Sequence, residues 1–423
     1  MDLSPPRGTA DLLPPRSDAM RALAEAGAHL AALYGYRYVE TPAFEATELF
    51  SRTSGESSDV VRKEMYTFED KGGRLLTLRP EATAGIVRAY LANAYELPRP
   101  FKCYTLGSMW RYGRPQAGRL REFRQFDVEI IGAGQPLADV EVVALCDRYL
   151  REAGLQAVEL EVNSIGDEVC RPAYRQELLS YLESNHERLR DEHRERFREN
   201  PLRVLDCKDE ACRSVSADAP KVSDRLCGPC ASHFEAVQEG LVREGVKFAH
   251  QPTLVRGLDY YTRTAFEFLS PALSEGQGTL CGGGRYDGLA ELLGGPPTPG
   301  VGFAVGLDRV LLALEKEGVG WPSGRGLDCF VVSIGEAAVP VAVDLARSLR
   351  EAGLSADMAF EPRPLKAQLR MADRSGARFA AIVGEREAEA GAVTVRRLED
   401  GRQEQVARDQ VVHWIRAVES TVA

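Results

Sequence analysis

Between Phe101 and Ile131 the chain runs as FKCYTLGSMWR, breaks into the Gly- and Pro-containing YGRPQAGRLR, and resumes as EFRQFDVEII. Two strand-length runs joined by so short a polar loop can pair only by turning back on each other, which predicts a long antiparallel hairpin. Its tip is basic: from Arg99 to Arg124, Arg99, Lys102, Arg111, Arg114, Arg119, Arg121 and Arg124 are opposed only by Glu122. The whole chain carries a net charge of −10, so this stretch runs against the overall field. Either the loop is simply solvated, or its arginines converge on a polyphosphate, which planar guanidinium forks suit better than lysine; the predominance of arginine favours the second. On the returning strand Gln125, Asp127 and Glu129 alternate and share a face, placing polar groups where a half-buried sheet carries apolar ones. That row predicts the floor of a ligand site.

The 423 residues are enough for two or three domains. With 44% hydrophobic and 27% charged residues, disordered and collagen-like classes are excluded. Ser17 is expected to cap a helix whose Met20, Leu23, Leu30 and Leu33 face inward until Gly35 ends it, with a strand over Tyr36 to Glu40 next. From about residue 167 to 250 the sequence turns helical, charged and irregular, and reads as an insertion. KEGVGWPSGRG, Lys316 to Gly326, is the expected boundary, giving domains 1–326 and 327–423. The tail alternates strand (CFVVSI), helix (Val339 to Glu351), a short strand, helix (Leu365 to Ser375) and strand (FAAIVG), an α/β module.

Nine cysteines, an odd number spread over a long chain, and an opening MDLSPPRGTADLLPP without the apolar run of a signal peptide point to a reducing cytoplasm. No stretch is apolar enough to span a membrane. There is no GxxxxGK[ST], HExxH or GxSxG, and no GxGxxG after a strand, so P-loop, Rossmann, zincin and hydrolase readings lack support. Cys207, Cys212, Cys227 and Cys230 have a spacing near that of four-thiolate zinc sites, with His233 as a possible substitute ligand; buried thiols or relics of a lost site fit them as well. Cys103, Cys146, Cys170, Cys281 and Cys329 have no such spacing and read as buried thiols. In the tail, Arg363, Lys366, Arg370, Arg374 and Arg378 are opposed only by Asp373. The four from Lys366 on recur every four residues, a helical stripe fit to follow phosphates or an ordinary solvated face.

The hairpin string RxxRPQxGRxREFxQ from Arg111 resembles motif 2 of class II aminoacyl-tRNA synthetases, the helix and strand up to Pro42 resemble motif 1, and GVGFAVGLDRVLLAL from Gly300 resembles motif 3 with Arg309 as its arginine. Asp308 stands where a glutamate is commoner. Within that class, RGTADLLP at Arg7, RPEATA at Arg79, RGLDYYT at Arg256 and GGGRYDGL at Gly282 resemble segments of histidyl-tRNA synthetases, and the resemblance covers nearly the whole chain.

The resemblance implies an α+β protein: an antiparallel class II catalytic sheet with a helical insertion and a C-terminal α/β anticodon-binding domain. It implies ATP-dependent activation of histidine and transfer to the 3′ end of tRNA(His), by a homodimer joined through motif 1. Arg111 and Arg256 would be the catalytic cations on the α-phosphate, and Arg119, Arg121 and Arg309 would hold the outer phosphates with Mg2+. Glu81, Thr83 and Gln125 would take the ammonium. Glu129 and Tyr261 would read the two imidazole nitrogens, with Tyr260 beside them. A site built this way rejects amino acids lacking those nitrogens by about 10⁴-fold without editing, because its own buried groups would be left unpaired. Gly282 to Gly284 and Gly288 would let backbone approach the ligand, or mark a tight turn. Arg114 and Gln116 at the hairpin tip, and Lys366, Arg370 and Arg374 in the tail, would meet tRNA. A non-catalytic synthetase-like regulatory protein is the alternative, and retention of the active-site segments and the tail argues against it. A synthetase for a different amino acid is excluded by RGLDYYT.

Overall fold

A computed structural model describes residues 2–54, 63–205, 207, 209–258, 260–274, 277–322 and 326–420. Asp259 of the RGLDYYT segment and residues 323–325 of the expected boundary lie outside them. The chain divides into two units, Met1–Pro322 and Ser323–Ala423.

The first unit opens with helix α1 (Arg16–Leu33), which buries Ala19, Met20, Leu23, Gly27, Leu30 and Ala31 at helical spacing. Ser17 is not its cap. Its N–H already donates to the Leu13 carbonyl at 3.0 Å, so the first turn closes before it, and Pro15 occupies the cap position. Leu33 is 60% exposed rather than inward-facing. Gly35, at φ +80°, ends the helix in a conformation that favours glycine. The strand expected to Glu40 is only β1 (Arg37–Tyr38). Next come β2 (Phe44–Ala46), α2 (Thr47–Ser54), β3 (Thr67–Glu69) and β4 (Leu75–Leu78), whose strands form a small antiparallel sheet in the order β2-β4-β3. Helix α3 (Thr83–Ala92) leads to the hairpin strands β5 (Phe101–Trp110) and β6 (Glu122–Ile131), followed by α4 (Pro136–Glu152) and β7 (Glu159–Ser164). The insertion holds α5 (Arg171–Asn185), α6 (Asp191–Arg196), α7 (Leu202–Leu205), α8 (Glu210–Ala217) and α9 (Gly228–Arg243), and ends at β8 (Ala249–His250). Strands β9 (Thr262–Leu269) and β10 (Thr279–Arg285), helix α10 (Leu289–Leu292), strand β11 (Gly300–Gly306) and helix α11 (Leu307–Lys316) complete the unit.

Its main sheet runs β1-β5-β6-β11-β10-β9-β7-β8. All inner pairs are antiparallel, and only the two edge pairs, β1 with β5 and β7 with β8, are parallel. On one face Phe126, Val128 and Ile130 of β6 pack with Val301, Phe303 and Val305 of β11 against α1, α4 and α11. The insertion is not free-standing, because Phe234, Val237 and Leu241 of α9 join this same core. Tyr174, Leu178 and Leu182 of α5 pack instead in a second cluster with Val204, Leu205 and Val215.

The second unit has a five-stranded sheet ordered β13-β12-β14-β15-β16, formed by β12 (Cys329–Ser333), β13 (Ala356–Met358), β14 (Phe379–Val383), β15 (Ala392–Arg397) and β16 (Gln403–Ala407). The first three are parallel, with α12 (Ala338–Glu351) and α13 (Leu365–Arg374) as the crossovers that parallel pairing requires. Strands β15 and β16, antiparallel additions, and helices α14 (Glu385–Ala390) and α15 (Val411–Ser420) lie beyond the pattern read from sequence. Lys366, Arg370 and Arg374 are exposed on α13. Arg378 is not on that stripe: Gly376 turns the chain at φ +67°, and Arg378, at the entry to β14, pairs with the buried Asp328.

Candidate active site

The face of the main sheet opposite the helices lines a cavity of about 250 Å³. Its floor is the polar row of β6, and the pairing register explains why the row stands clear. Gln125, Asp127 and Glu129 have Gly107, Thr105 and Cys103 opposite on β5, and Gly306, Ala304 and Gly302 opposite on β11. Small neighbours on both sides leave a trough above three buried polar side chains. Gly302 is required by close approach, since a Cβ there would overlap the Glu129 carboxylate.

Glu129 accepts from the Thr83 hydroxyl at 2.6 Å through Oε1 and from the Tyr286 hydroxyl through Oε2. Burial nonetheless pushes its carboxyl up to about 8, those two hydrogen bonds opposing the rise. Glu81 accepts from the backbone N–H of Thr83 at 2.9 Å and of Ala84 at 3.0 Å at the start of α3, and burial raises it above the usual carboxylate range. Asp127 is raised further, by burial and then by the charges of Glu129 and Glu81. Asp127 Oδ2 and Gln125 Oε1 are buried without a hydrogen-bond partner among the described residues. Buried acceptors of this kind are normally satisfied, so the pair is open to hydrogen-bond donors brought by a ligand. Thr83 and Glu81, by contrast, already spend hydrogen bonds within the protein.

Guanidinium groups crowd the other end. Arg309 donates to the Gly118 carbonyl at 2.9 Å and to the Thr279 carbonyl at 2.6 Å, which aims it between the hairpin loop and β10. Burial, then the neighbouring charges of Arg111 and Arg119, hold it below the ordinary arginine value. A buried guanidinium held down by neighbouring like charges is relieved by an anion. Arg111 is anchored to the Pro80 carbonyl at 2.8 Å, and Arg119 pairs with Glu64, which also faces the cavity. Arg256 lies beside the Tyr261 ring, 5.3 Å from its centroid, and pairs with Glu267. Burial acts to lower its pKa, but Glu267 and Tyr261 outweigh that and raise it. Gly282 makes room for this guanidinium, since any Cβ would collide with it; Gly288 has open space around it and serves no close approach. The rings of Tyr260 and Tyr261 lie 4.7 Å apart, tilted by 40°, in the cavity lining near the acidic end.

The cavity therefore brings together Glu81, Thr83, Gln125, Glu129, Tyr260 and Tyr261 with Arg111, Arg119, Arg256 and Arg309. Arg121 is not among its lining: it stacks on Tyr112 at 3.8 Å and donates to the Arg7 carbonyl at 3.3 Å, so it braces the N-terminal RGTADLLP segment instead. Arg114 and Gln116 are exposed at the hairpin tip.

The histidyl-tRNA synthetase family model matches residues 8–310, and an anticodon-binding domain model matches residues 328–418. This chain belongs to the histidyl-tRNA synthetase family. It is 47% identical over 412 residues to the histidine-tRNA ligase of Pelotomaculum thermopropionicum, covering 97% of each chain. It is also 47% identical over 419 residues to that of Moorella thermoacetica, covering 99% of each. Among solved structures, apo S. aureus histidyl-tRNA synthetase superposes with a TM-score of 0.81 at 37% identity, covering 98% of this chain and 100% of the other. Its reaction is that of the family, ATP-driven ligation of histidine to tRNA, and full-length likeness to ligases sets aside the regulatory alternative.

Two site residues of this synthetase fold were not picked out from sequence. Asp127 lay in the polar row but was not assigned to the substrate; its missing partner emerges only once both neighbouring strands are in place. Tyr286, inside GGGRYDGL, is brought to Glu129 by the pairing of β10 with β11. The insertion cysteines also sort differently from their spacing. Cys207 and Cys212 gather with His193, whereas Cys227 and Cys230 gather with Asp167 and Cys170. The four therefore do not form one site, and Cys170 is not an isolated thiol. His233 stays apart from them, buried and 3.3 Å from Asp139 Oδ1.

Proposed function

We propose that this cavity makes histidyl-adenylate with the substrate ammonium on Gln125 and Asp127, the imidazole between Glu129 and Tyr261, and ATP on the guanidinium cluster. The histidine carboxylate attacks the α-phosphorus, the bond to the bridging oxygen breaks and pyrophosphate leaves. Negative charge grows on the phosphoryl oxygens, where Arg111 and Arg256 meet it, while Arg119 and Arg309 hold the outer phosphates. The attacking group is already a carboxylate, so this step needs no general base. The 3′ hydroxyl of the tRNA then takes the histidyl group and AMP leaves. Mg2+ fits beside the cluster, because it binds mainly phosphate oxygens and water, asks for only one or two carboxylates, and Glu64 faces that end. There it would neutralise phosphate charge.

The observation that carries this reading is the pairing, in one cavity, of unpartnered buried acceptors at one end with four guanidinium groups, Arg111, Arg119, Arg256 and Arg309, at the other. Chemistry is confined to the first unit, and the second supplies tRNA affinity through Lys366, Arg370 and Arg374, while Arg114 and Gln116 meet the acceptor end. Leu33, Tyr38 and Phe44, each at least 49% exposed around β1, support a homodimer through this segment. Free cysteines and a role in translation support a cytoplasmic location, and among the described residues no helix is long and apolar enough to cross a membrane. Pyrophosphate exchange measured with ATP, magnesium and each amino acid in turn tests the assignment. Exchange is expected with histidine alone, and comparable exchange with another amino acid overturns the imidazole reading.

A further inference from the structure

We propose that Asp167, Cys170, Cys227 and Cys230 form a tetrahedral site for a divalent metal, with zinc as its ion. Their four ligand atoms all lie within 4.8 Å of one another. Cys170 Sγ is 3.3 Å from Asp167 Oδ1, and Cys227 Sγ is 3.8 Å from Oδ1 and 4.0 Å from Oδ2. A tetrahedron with zinc–sulfur arms of about 2.3 Å and a slightly shorter zinc–oxygen arm has edges of about 3.5 to 3.8 Å, so little movement is needed to close around the ion.

The chain is arranged for such a closure. Asp167-x2-Cys170 and Cys227-x2-Cys230 are two pairs of equal spacing, each placed where a helix begins, α5 for the first and α9 for the second. Two short-spaced pairs from separate elements are the usual build of a structural zinc site. Gly166, at φ +67°, lets the turn fold over the Cys170 thiol, since a Cβ there would sit 2.6 Å from Sγ. Three thiolates and a carboxylate around Zn2+ leave a net charge of about −2, and Arg263 supplies an outer cation 3.4 Å from Asp167 Oδ2. Arg263 has φ +49°, in the left-handed region that non-glycine residues seldom adopt. Its N–H donates to the Gly166 carbonyl and its carbonyl accepts from the Ile165 N–H, both at 2.7 Å, so the strain is held in place at the edge of the cluster. The thiolate majority selects zinc over magnesium or calcium. The site also adjoins the catalytic loop: Arg171, next to Cys170, donates to the Tyr261 carbonyl and, at 3.1 Å, to that of Ile165.

The test uses the full chain expressed in zinc-supplemented medium and freed of loosely bound metal. Elemental analysis is expected to find about one zinc per chain from this site, lost in the Cys227→Ser/Cys230→Ser variant and kept in Cys207→Ser/Cys212→Ser. Absence of zinc from the parent chain, or a zinc content unchanged by Cys227→Ser/Cys230→Ser, overturns the proposal. Asp167→Cys keeps the experiment decisive where the double variant fails to fold. Loaded with Co2+ alone, it is expected to show stronger sulfur-to-metal absorption and shifted visible bands relative to the parent chain, because a fourth thiolate replaces the carboxylate. Identical cobalt spectra exclude Asp167 as a ligand.

Discussion

Replacing Glu129 by glutamine separates the electrostatic load of the histidine site from its packing. Burial holds the Glu129 carboxyl at about 8 against an ordinary 4.5. An acid whose pKa is higher folded than unfolded binds more protons in the folded state. Its contribution to stability is therefore neutral below about 4.5, turns steadily less favourable up to about 8, and stays there above. At about 1.4 kcal/mol per pH unit, this amounts to about 4 to 5 kcal/mol at the top of the window. The amide removes that charge with little change of shape: its carbonyl accepts from Tyr286 and its NH2 donates to Thr83. Urea unfolding of the ligand-free protein is expected to find the variant and parent alike near pH ~4.5, with the variant more stable by several kcal/mol near pH ~8. The variant also relieves the part of the Asp127 rise that comes from the Glu129 charge, so that linked gain acts in the same direction. Above about pH 8, where the Glu129 carboxyl is ionised, the same variant loses the charged acceptor for an imidazole N–H, an interaction of about 1.5 to 3 kcal/mol, so kcat/KM for histidine is expected to fall about 10- to 150-fold there. Parallel stability profiles, or a variant less stable at the alkaline end, would refute the reasoning, because the carboxylate would then be solvated or paired at no loss.

Arg256→Ala is expected to slow adenylate formation by at least about 100-fold while histidine affinity, measured by calorimetry, changes far less; collapse of binding with the chemical step intact would make Arg256 a binding residue. Charge reversal at Lys366, Arg370 and Arg374 is expected to weaken tRNA binding and flatten its salt dependence by about one unit of slope for each phosphate no longer neutralised, leaving pyrophosphate exchange unchanged. Reversal at Arg378, which faces Asp328, is expected instead to lower the melting temperature of the tail unit. Sedimentation at micromolar concentration is expected to give a dimer that Leu33→Glu/Phe44→Glu dissociates, and a fully active monomer would exclude the interface.

Much of the site could be read before the fold was known. The hairpin, its arginines and the row Gln125, Asp127 and Glu129 are local, because a strand's period of two decides which side chains share a face whatever the strand pairs with. The tail's first strands and helices are equally local, since a βαβ unit must alternate its hydrophobic periods. Antiparallel β15 and β16 carry a weaker pattern, with β16 largely exposed, and only the pairing of β15 with β14 and of β16 with β15 defines them.

What sequence could not decide are relations between distant segments. A period of four put Arg378 on one stripe with Lys366, Arg370 and Arg374, although the helix read from sequence stops at Ser375; Gly376 turns the chain and Arg378 pairs with Asp328 instead, because residue spacing alone does not carry a stripe past the helix end. Arg121 belongs to the same motif as Arg119, yet the N-terminal segment draws its guanidinium onto Tyr112 and the Arg7 carbonyl. Tyr286 reaches Glu129, and Asp127 is left without a partner, only because β10 and β6 flank β11 in one register. The cysteines show the same limit most plainly. Spacing grouped Cys207 and Cys212 with Cys227 and Cys230, but the packing of α5 beside the start of α9 brings Asp167 and Cys170 to the second pair and leaves the first with His193. Sequence by itself determined which local faces carry charge, thiol or apolar groups. Which of those faces meet was settled only when the hydrophobic cores formed, because side chains far apart in the chain become neighbours through burial of the residues around them.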